Sequence, residues 1–205
     1  MRILFQGDSI TDCGRNREWE FDLGNGYSLL SCATLGLEAP GKYEVLNRGI
    51  SGNRIVDLYA RIKNDIINLK PDVMSILIGV NDVWHEFDYN NGVDSEKFFK
   101  IYCMLIEEVK AALPDIKIMI LEPFTLKGTG NEKYFDGFKA DVLQKAKMSK
   151  AVAEKYNLTF IPLQDKFDEA AKKAPNNFWL GDGVHPTCVG HELIKNEWIK
   201  AFKTL

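Results

Sequence analysis

The stretch RILFQGDSITDCG, residues 2–14, opens on an apolar run, Ile3-Leu4-Phe5, that stops at Gly7-Asp8-Ser9. A run this short, ended by glycine, reads as a strand, Arg2–Gln6, and its lack of alternation reads as burial on both faces. No second apolar run follows at hairpin distance. The next organised segment is amphipathic, Gly26–Leu37, a helix closed near Pro40-Gly41. A strand that hands over to a helix implies a parallel neighbour and a crossover. Polar residues on a glycine hinge at the strand's carboxyl end lie where open α/β sheets bind their ligands.

The alternation continues along the chain. Tyr43–Asn47 is a short strand. Arg54–Leu69 carries Ile55, Leu58, Ile62, Ile66 and Leu69 at helical spacing, and Pro71 closes it. Asp72–Ile78 is a third apolar run. Ser95–Leu113 reads as a helix with Ser95 as N-cap, and Ile116–Leu121 as a fourth run. A long helix over Asp136–Tyr156, a strand over Leu158–Pro162 and a short helix over Asp165–Lys173 follow. The last helix runs from Cys188 to about Lys203, with Val189, Leu193, Ile194, Trp198 and Phe202 on its buried stripe. Right-handed crossovers then predict one three-layer α/β domain over residues 1–205. Its sheet has five parallel strands in the flavodoxin-like order 2-1-3-4-5, with helices on both faces.

Composition narrows the classes. A chain of 205 residues buries roughly 70% of its unfolded surface and needs no metal or disulfide to hold a core. Apolar residues at 45% and charged residues at 27% are ordinary globular values. A net charge of −3 argues against a nucleic-acid partner. Cys13, Cys32, Cys103 and Cys188 form no CxxC pair and match no zinc spacing. Cys32 and Cys103, on apolar helix faces, read as small core residues. No leader pattern is visible, and no apolar run approaches the roughly 18 residues of a membrane span. The expectation is a cytoplasmic protein with no membrane partner and no cofactor; a homo-oligomer stays open.

In this arrangement the strand exits converge on one edge: Gly7-Asp8-Ser9, Asn47 to Gly52, Gly79-Val80-Asn81-Asp82 and Glu122-Pro123-Phe124. A serine hydrolase needs a serine, a histidine that takes its proton and a carboxylate that orients the ring, with donors aimed at the developing oxyanion. Three histidines are on offer. His85 follows the third strand and His191 lies inside the final helix. His185 sits in GDGVHP, residues 181–186, with Asp182 three positions upstream. Asp182-Gly183 favours a turn that folds the carboxylate back onto the ring, and Pro186 stiffens the exit.

GDSIT at 7–11, GISGN at 49–53, GVND at 79–82 and DGVHP at 182–186 stand in the order and rough spacing of the four blocks of the GDSL, or SGNH, hydrolases. The resemblance runs from the first strand to the last helix. GDSITDCGR, GISGNR and GVNDVW are most similar to intracellular carbohydrate esterases of the acetylxylan-esterase type. The resemblance implies Ser9 as nucleophile, His185 as base and Asp182 as its orienting partner. It also implies an oxyanion hole made of the Ser9 N–H, the Gly52 N–H and the Asn81 side-chain amide. The implied reaction is metal-independent hydrolysis of a short acyl ester, acetyl first, on a sugar or oligosaccharide. A thioesterase or lysophospholipase of the same superfamily and a non-catalytic carbohydrate-binding relative are the alternatives. The GxSxG elbow of α/β-hydrolases is absent, because Thr11 stands where that motif wants glycine. The nucleophile is expected in a loop.

Other features read more plainly. His191-Glu192 begins an HExxH pattern that Lys195 breaks, so His191 is a packing or surface residue. His85 is an ordinary loop histidine or lines the cleft. GLEAPGKY, residues 36–43, ends a helix where a P-loop must follow a strand. Ile10 stands where aspartyl phosphoryl-transfer enzymes carry a second carboxylate, which leaves Asp8 as support for the Ser9 loop. Trp84, Phe124 and Trp179, with Tyr134, are candidates for a substrate-lining wall; core packing is the alternative for each. Arg15, Arg17 and Arg54 meet a polar substrate or solvent.

Overall fold

Five apolar runs become five parallel strands: β1 (Arg2–Gly7), β2 (Glu44–Asn47), β3 (Val73–Leu77), β4 (Lys117–Leu121) and β5 (Thr159–Ile161), in the order β2-β1-β3-β4-β5. The structure, a computed structural model, describes all residues Met1–Leu205. Register explains the missing alternation. Ile3 pairs with Val45 on one side and Val73 on the other, and Leu4 with Leu46 and Met74. Ile3, Phe5, Val73, Leu77, Met119 and Leu121 face one apolar layer, while Leu4, Met74, Ile76, Ile118 and Ile120 face the other. Both faces are dry, so neighbouring residues along each strand are equally apolar.

Ten α-helices connect and cover the sheet: α1 (Ser9–Asp12), α2 (Tyr27–Glu38), α3 (Ile55–Ala60), α4 (Ile62–Asp65), α5 (Val80–Tyr89), α6 (Ser95–Ala112), α7 (Phe135–Tyr156), α8 (Gln164–Ala171), α9 (Asn176–Trp179) and α10 (Cys188–Phe202). Tyr27, Phe167, Ile194 and Trp198 bring α2, α8 and α10 to one layer. Leu58, Ile62 and Tyr102 bring α3, α4 and α6 to the other. The long α7 serves both, with Phe138 and Val142 in the first layer and Val152 and Ala153 in the second.

Four details depart from the sequence reading. Arg54–Leu69 is not one helix: it breaks at Arg61 and Ile66 into α3, α4 and a 3₁₀ turn at Ile67–Leu69. At the first break the Arg61 guanidinium donates to the Arg48 and Gly7 carbonyls at 2.8 and 3.2 Å, anchoring two strand exits. The GVND block, read from the sequence as a strand exit, opens α5 directly after Gly79, whose φ of +131° suits glycine. Asp94, not Ser95, caps α6 by accepting the Lys97 N–H at 2.8 Å. On α10 the buried positions are Gly190, His191, Ile194, Trp198 and Ile199, while Val189, Leu193 and Phe202 are half-buried. Cys103 is buried and Cys32 half-buried. No helix is long and apolar enough to cross a membrane.

Candidate active site

The chain leaves β1 at Gly7 and turns at once into α1. Gly7 is sterically required there: a Cβ would lie 2.4 Å from both the Leu77 carbonyl and the Thr11 hydroxyl. Asp8 caps the new helix, its Oδ1 accepting the Ile10 N–H at 3.0 Å. Ser9, expected in a loop, is therefore the first residue of a one-turn helix. Asp8 is buried, and its Oδ2 has no partner. Burial pushes its carboxyl up to about 7 against the pull of the Ile10 bond and of His185.

The other half of the site is a tight hairpin between α9 and α10. The Gly181 N–H donates to the His185 carbonyl at 2.8 Å, and Leu180 bridges to Pro186. Gly183 holds φ +98°, and a Cβ on it would meet the Leu126 carbonyl at 2.5 Å. Inside this turn the Asp182 carboxylate accepts the Val184 and His185 N–H groups at 2.9 and 2.8 Å through Oδ1. Its Oδ2 accepts the His185 ring Nδ1–H at 2.7 Å. With Nδ1 carrying the proton, Nε2 of the neutral ring is an acceptor, and it lies 2.8 Å from Ser9 Oγ. Burial works to raise Asp182, but the bonds from the His185 ring and backbone and from Val184 bring it down to about 2. The bond to Asp182 raises His185 above its ordinary value, against burial.

The remaining expected residues fall into place unequally. Gly52 holds φ +81° with open space where a side chain would stand. Asn81, the second residue of α5, is 6% exposed, and its Nδ2 donates to the Asn53 carbonyl at 3.2 Å. That bond ties α5 to the loop that carries Gly52 and leaves the amide a second N–H. The Trp84 ring lies 5.8 Å from the His185 ring. Phe124 is a correction: it is fully buried and stacked on Phe167 at 4.3 Å, so it belongs to the core and lines nothing. Trp179 is half-buried and lines a groove with Val189, Leu193 and Asn196 of α10. His191 is a packing residue, with Nδ1 accepting the Tyr27 N–H at 3.2 Å; burial and the charge of His185 push it down to about 4. His85 lies on α5 with its ring 5.6 Å from Tyr89. Arg17 bonds Asp12 and Arg54 bonds Asp57, while Arg15 donates through Nε to the Gly49 carbonyl.

Sequence reasoning missed the parts that hold these groups. The Gly183 carbonyl accepts the Leu126 N–H and the Thr125 hydroxyl, at 2.9 and 2.8 Å. Asn131 donates to Thr125 Oγ1 and the Leu126 carbonyl, and Gln164 grips the Thr125 backbone from both sides. On the Ser9 side Asn47 Nδ2 donates to the Thr11 and Leu23 carbonyls at 2.6 and 2.8 Å, while its Oδ1 accepts the Gly49 N–H at 2.8 Å.

A match to the GDSL-like Lipase/Acylhydrolase family spans residues 5–193. The chain belongs to that family. It is a carboxylic ester hydrolase with the SGNH hydrolase fold. It is 35% identical to an acetylxylan esterase of Geobacillus stearothermophilus over 97% of this chain and 92% of the relative. The crystal structure of Axe2, an acetylxylan esterase from the same organism, superposes with a TM-score of 0.87 at 33% identity, covering 98% of this chain and 93% of that one. LAE5, an α/β hydrolase enzyme from the metagenome of Lake Arreo, Spain, superposes with a TM-score of 0.88 at 29% identity, covering 98% and 94%.

Proposed function

We propose that this esterase cleaves short acyl esters, acetyl first, on sugars or oligosaccharides, through a Ser9–His185–Asp182 triad. The observation that carries the reading is the unbroken relay from Ser9 Oγ to His185 Nε2 at 2.8 Å and from His185 Nδ1 to Asp182 Oδ2 at 2.7 Å. Nε2 takes the hydroxyl proton as Oγ attacks the ester carbonyl. The Ser9 and Gly52 N–H groups and the free N–H of the Asn81 amide meet the oxygen that becomes negative. The imidazolium, held by the ionised Asp182, then protonates the leaving alcohol. Water, activated by the same ring, hydrolyses the acyl-enzyme and restores Ser9.

The acetyl-sugar assignment draws on the acetylxylan esterases to which the chain is similar. Acetylated xylo-oligosaccharides and nitrophenyl esters of increasing acyl length, assayed with the native chain and Ser9→Ala, test it. The expected result is turnover of the acetyl sugars, a steep fall with acyl length, and no turnover by Ser9→Ala. Faster hydrolysis of long-chain or thioester substrates would replace the substrate assignment, and an active Ser9→Ala would remove the triad.

A further inference from the structure

Asp12 is the last residue of α1, three positions after Ser9, and is 3% exposed. A carboxylate in so dry a place must be matched by donors, and the source of those donors is informative. Its Oδ2 accepts the Ser51 N–H at 2.9 Å, the Ser51 hydroxyl at 3.0 Å and the Arg17 guanidinium at 2.6 Å. Its Oδ1 accepts the Arg15 N–H at 3.2 Å. Burial works to raise this carboxyl, but the Arg17 and Ser51 bonds outweigh it and hold the group below its ordinary value. Ser51 directly precedes Gly52, so the planar peptide that carries the Gly52 N–H begins at the Ser51 Cα. Two bonds from one residue to one carboxylate oxygen fix that end of the plane relative to α1.

We infer that Asp12 is a positioning residue for the oxyanion hole: through Ser51 it sets the Gly52 N–H against the helix that carries Ser9, with Arg17 anchoring the carboxylate from outside. The inference rests on the reading of Ser9 as nucleophile and Gly52 as oxyanion donor. The backbone packing agrees with it. A Cβ on Gly49 would lie 2.3 Å from the Asp12 nitrogen, so the loop and α1 touch backbone to backbone. The Ile50 N–H also donates to the Gly7 carbonyl at 3.1 Å. These contacts bring the loop onto α1, and Asp12 fixes the residue beside the donor.

A purely structural Asp12 and a positioning Asp12 differ in kinetics. Displacing one oxyanion donor by about 1 Å costs on the order of 10²-fold in kcat and leaves ground-state binding intact. Asp12→Ala is therefore expected to lower kcat on p-nitrophenyl acetate by about 10²-fold with KM within about twofold. Inhibition by methylboronic acid, which forms a tetrahedral serine adduct, should weaken in parallel. Ser51→Ala, which keeps the N–H bond, and Arg17→Ala, whose side chain is half exposed, should each lower kcat several-fold with an unchanged melting temperature for Arg17→Ala. If Asp12→Ala does not fold, these two variants decide. Wild-type kcat in Ser51→Ala and Arg17→Ala, or a lowered melting temperature with wild-type kcat in Asp12→Ala, overturns the inference while an inactive Ser9→Ala leaves the triad standing. An active Ser9→Ala would instead overturn the reading beneath it.

Discussion

Gly49→Ala is the smallest change that tests whether the site depends on backbone contact between the oxyanion loop and α1. Gly49 does not need left-handed backbone, so alanine brings no conformational strain, only bulk. The added methyl would sit 2.3 Å from the Asp12 nitrogen, 2.7 Å from the Thr11 carbonyl carbon and 2.9 Å from the Asp12 Cα. All three are main-chain atoms, so no side chain can turn aside. Restoring ordinary contact at 3.4 Å needs a separation of about 1.1 Å between loop and helix. A misplacement of that size costs on the order of 10²-fold in rate, which is about 2.7 kcal/mol of transition-state stabilisation. Overpacking of this kind also costs roughly 1–3 kcal/mol of stability. For a chain of this length that is a fall of about 2–12 °C in melting temperature.

The assay is steady-state hydrolysis of p-nitrophenyl acetate, with the active fraction counted by a fluorophosphonate, beside thermal unfolding. Gly36→Ala is the control. It lies on the exposed side of α2, and nothing stands within 4 Å of its added methyl. It should keep wild-type kinetics and gain roughly 0.5–1 kcal/mol, because glycine is a poor helix residue. Wild-type kcat and KM in Gly49→Ala would refute the reasoning, since they would mean the loop moves without consequence for the oxyanion.

Three further outcomes are expected. The base must be neutral and His185 is raised above its ordinary value of about 6.5, so kcat/KM should climb with pH through a midpoint above that; Asp182→Asn removes the group that favours the imidazolium, should move the limb to lower pH and should cut kcat by roughly 10⁴-fold, as in other triads. A flat profile from pH 5 to 8 would exclude His185 as base. Asn81→Ala should lower kcat by about 10²–10³-fold at nearly constant KM; a raised KM with kcat intact would make Asn81 a substrate binder. Phe124→Ala should cost about 3–5 kcal/mol by calorimetry and keep the wild-type ratio of acetyl to butyryl turnover; a changed ratio at unchanged stability would return Phe124 to the substrate wall.

The sheet was legible because burial on both faces leaves an unmistakable mark: Ile3-Leu4-Phe5 and Val73 to Leu77 are runs that no half-exposed strand would show. The candidate reactive groups stand out in the sequence because each sits in a short block at a strand exit or ahead of the last helix, and the fold brings Ser9, His185 and Asp182 within hydrogen-bond reach. What escaped has equally physical reasons. In α5 the whole first turn, Val80 to Val83, is buried and half of it is polar, so the block reads as a strand exit and not as the start of a helix. Arg54–Leu69 keeps helical spacing across its two breaks because each piece still turns an isoleucine or leucine inward. Phe124 follows β4 as a residue at a site's rim would. The chain then folds back through Thr125 and Leu126 to Gly183, and the ring is left facing Phe167. Thr125, Asn131 and Gln164 act through single polar contacts between distant segments, and no spacing along the chain encodes such a contact.

These missed residues explain why the site comes in two mountings. Asn47, Asp12 and Arg15 lock the loop that carries Gly52, the proposed oxyanion donor, onto the helix of Ser9. Thr125, Asn131 and Gln164 lock the Asp182–His185 hairpin onto the β4 exit. The halves meet where Ser9 Oγ faces His185 Nε2. The chemistry asks different things of each. Donors to the oxyanion must stay still, because preorganisation is the source of their effect. On the proposed mechanism the imidazole takes a proton from Oγ and delivers it to a leaving alcohol at a different point, which needs a small adjustment of the ring. The ring is bonded to Asp182 through Nδ1 and to Ser9 through Nε2, so on the proposed mechanism it adjusts about the Asp182 bond once the Oγ proton is passed. The division follows from the parallel topology itself: a doubly wound sheet presents each strand exit on its own loop, and each loop can be braced separately.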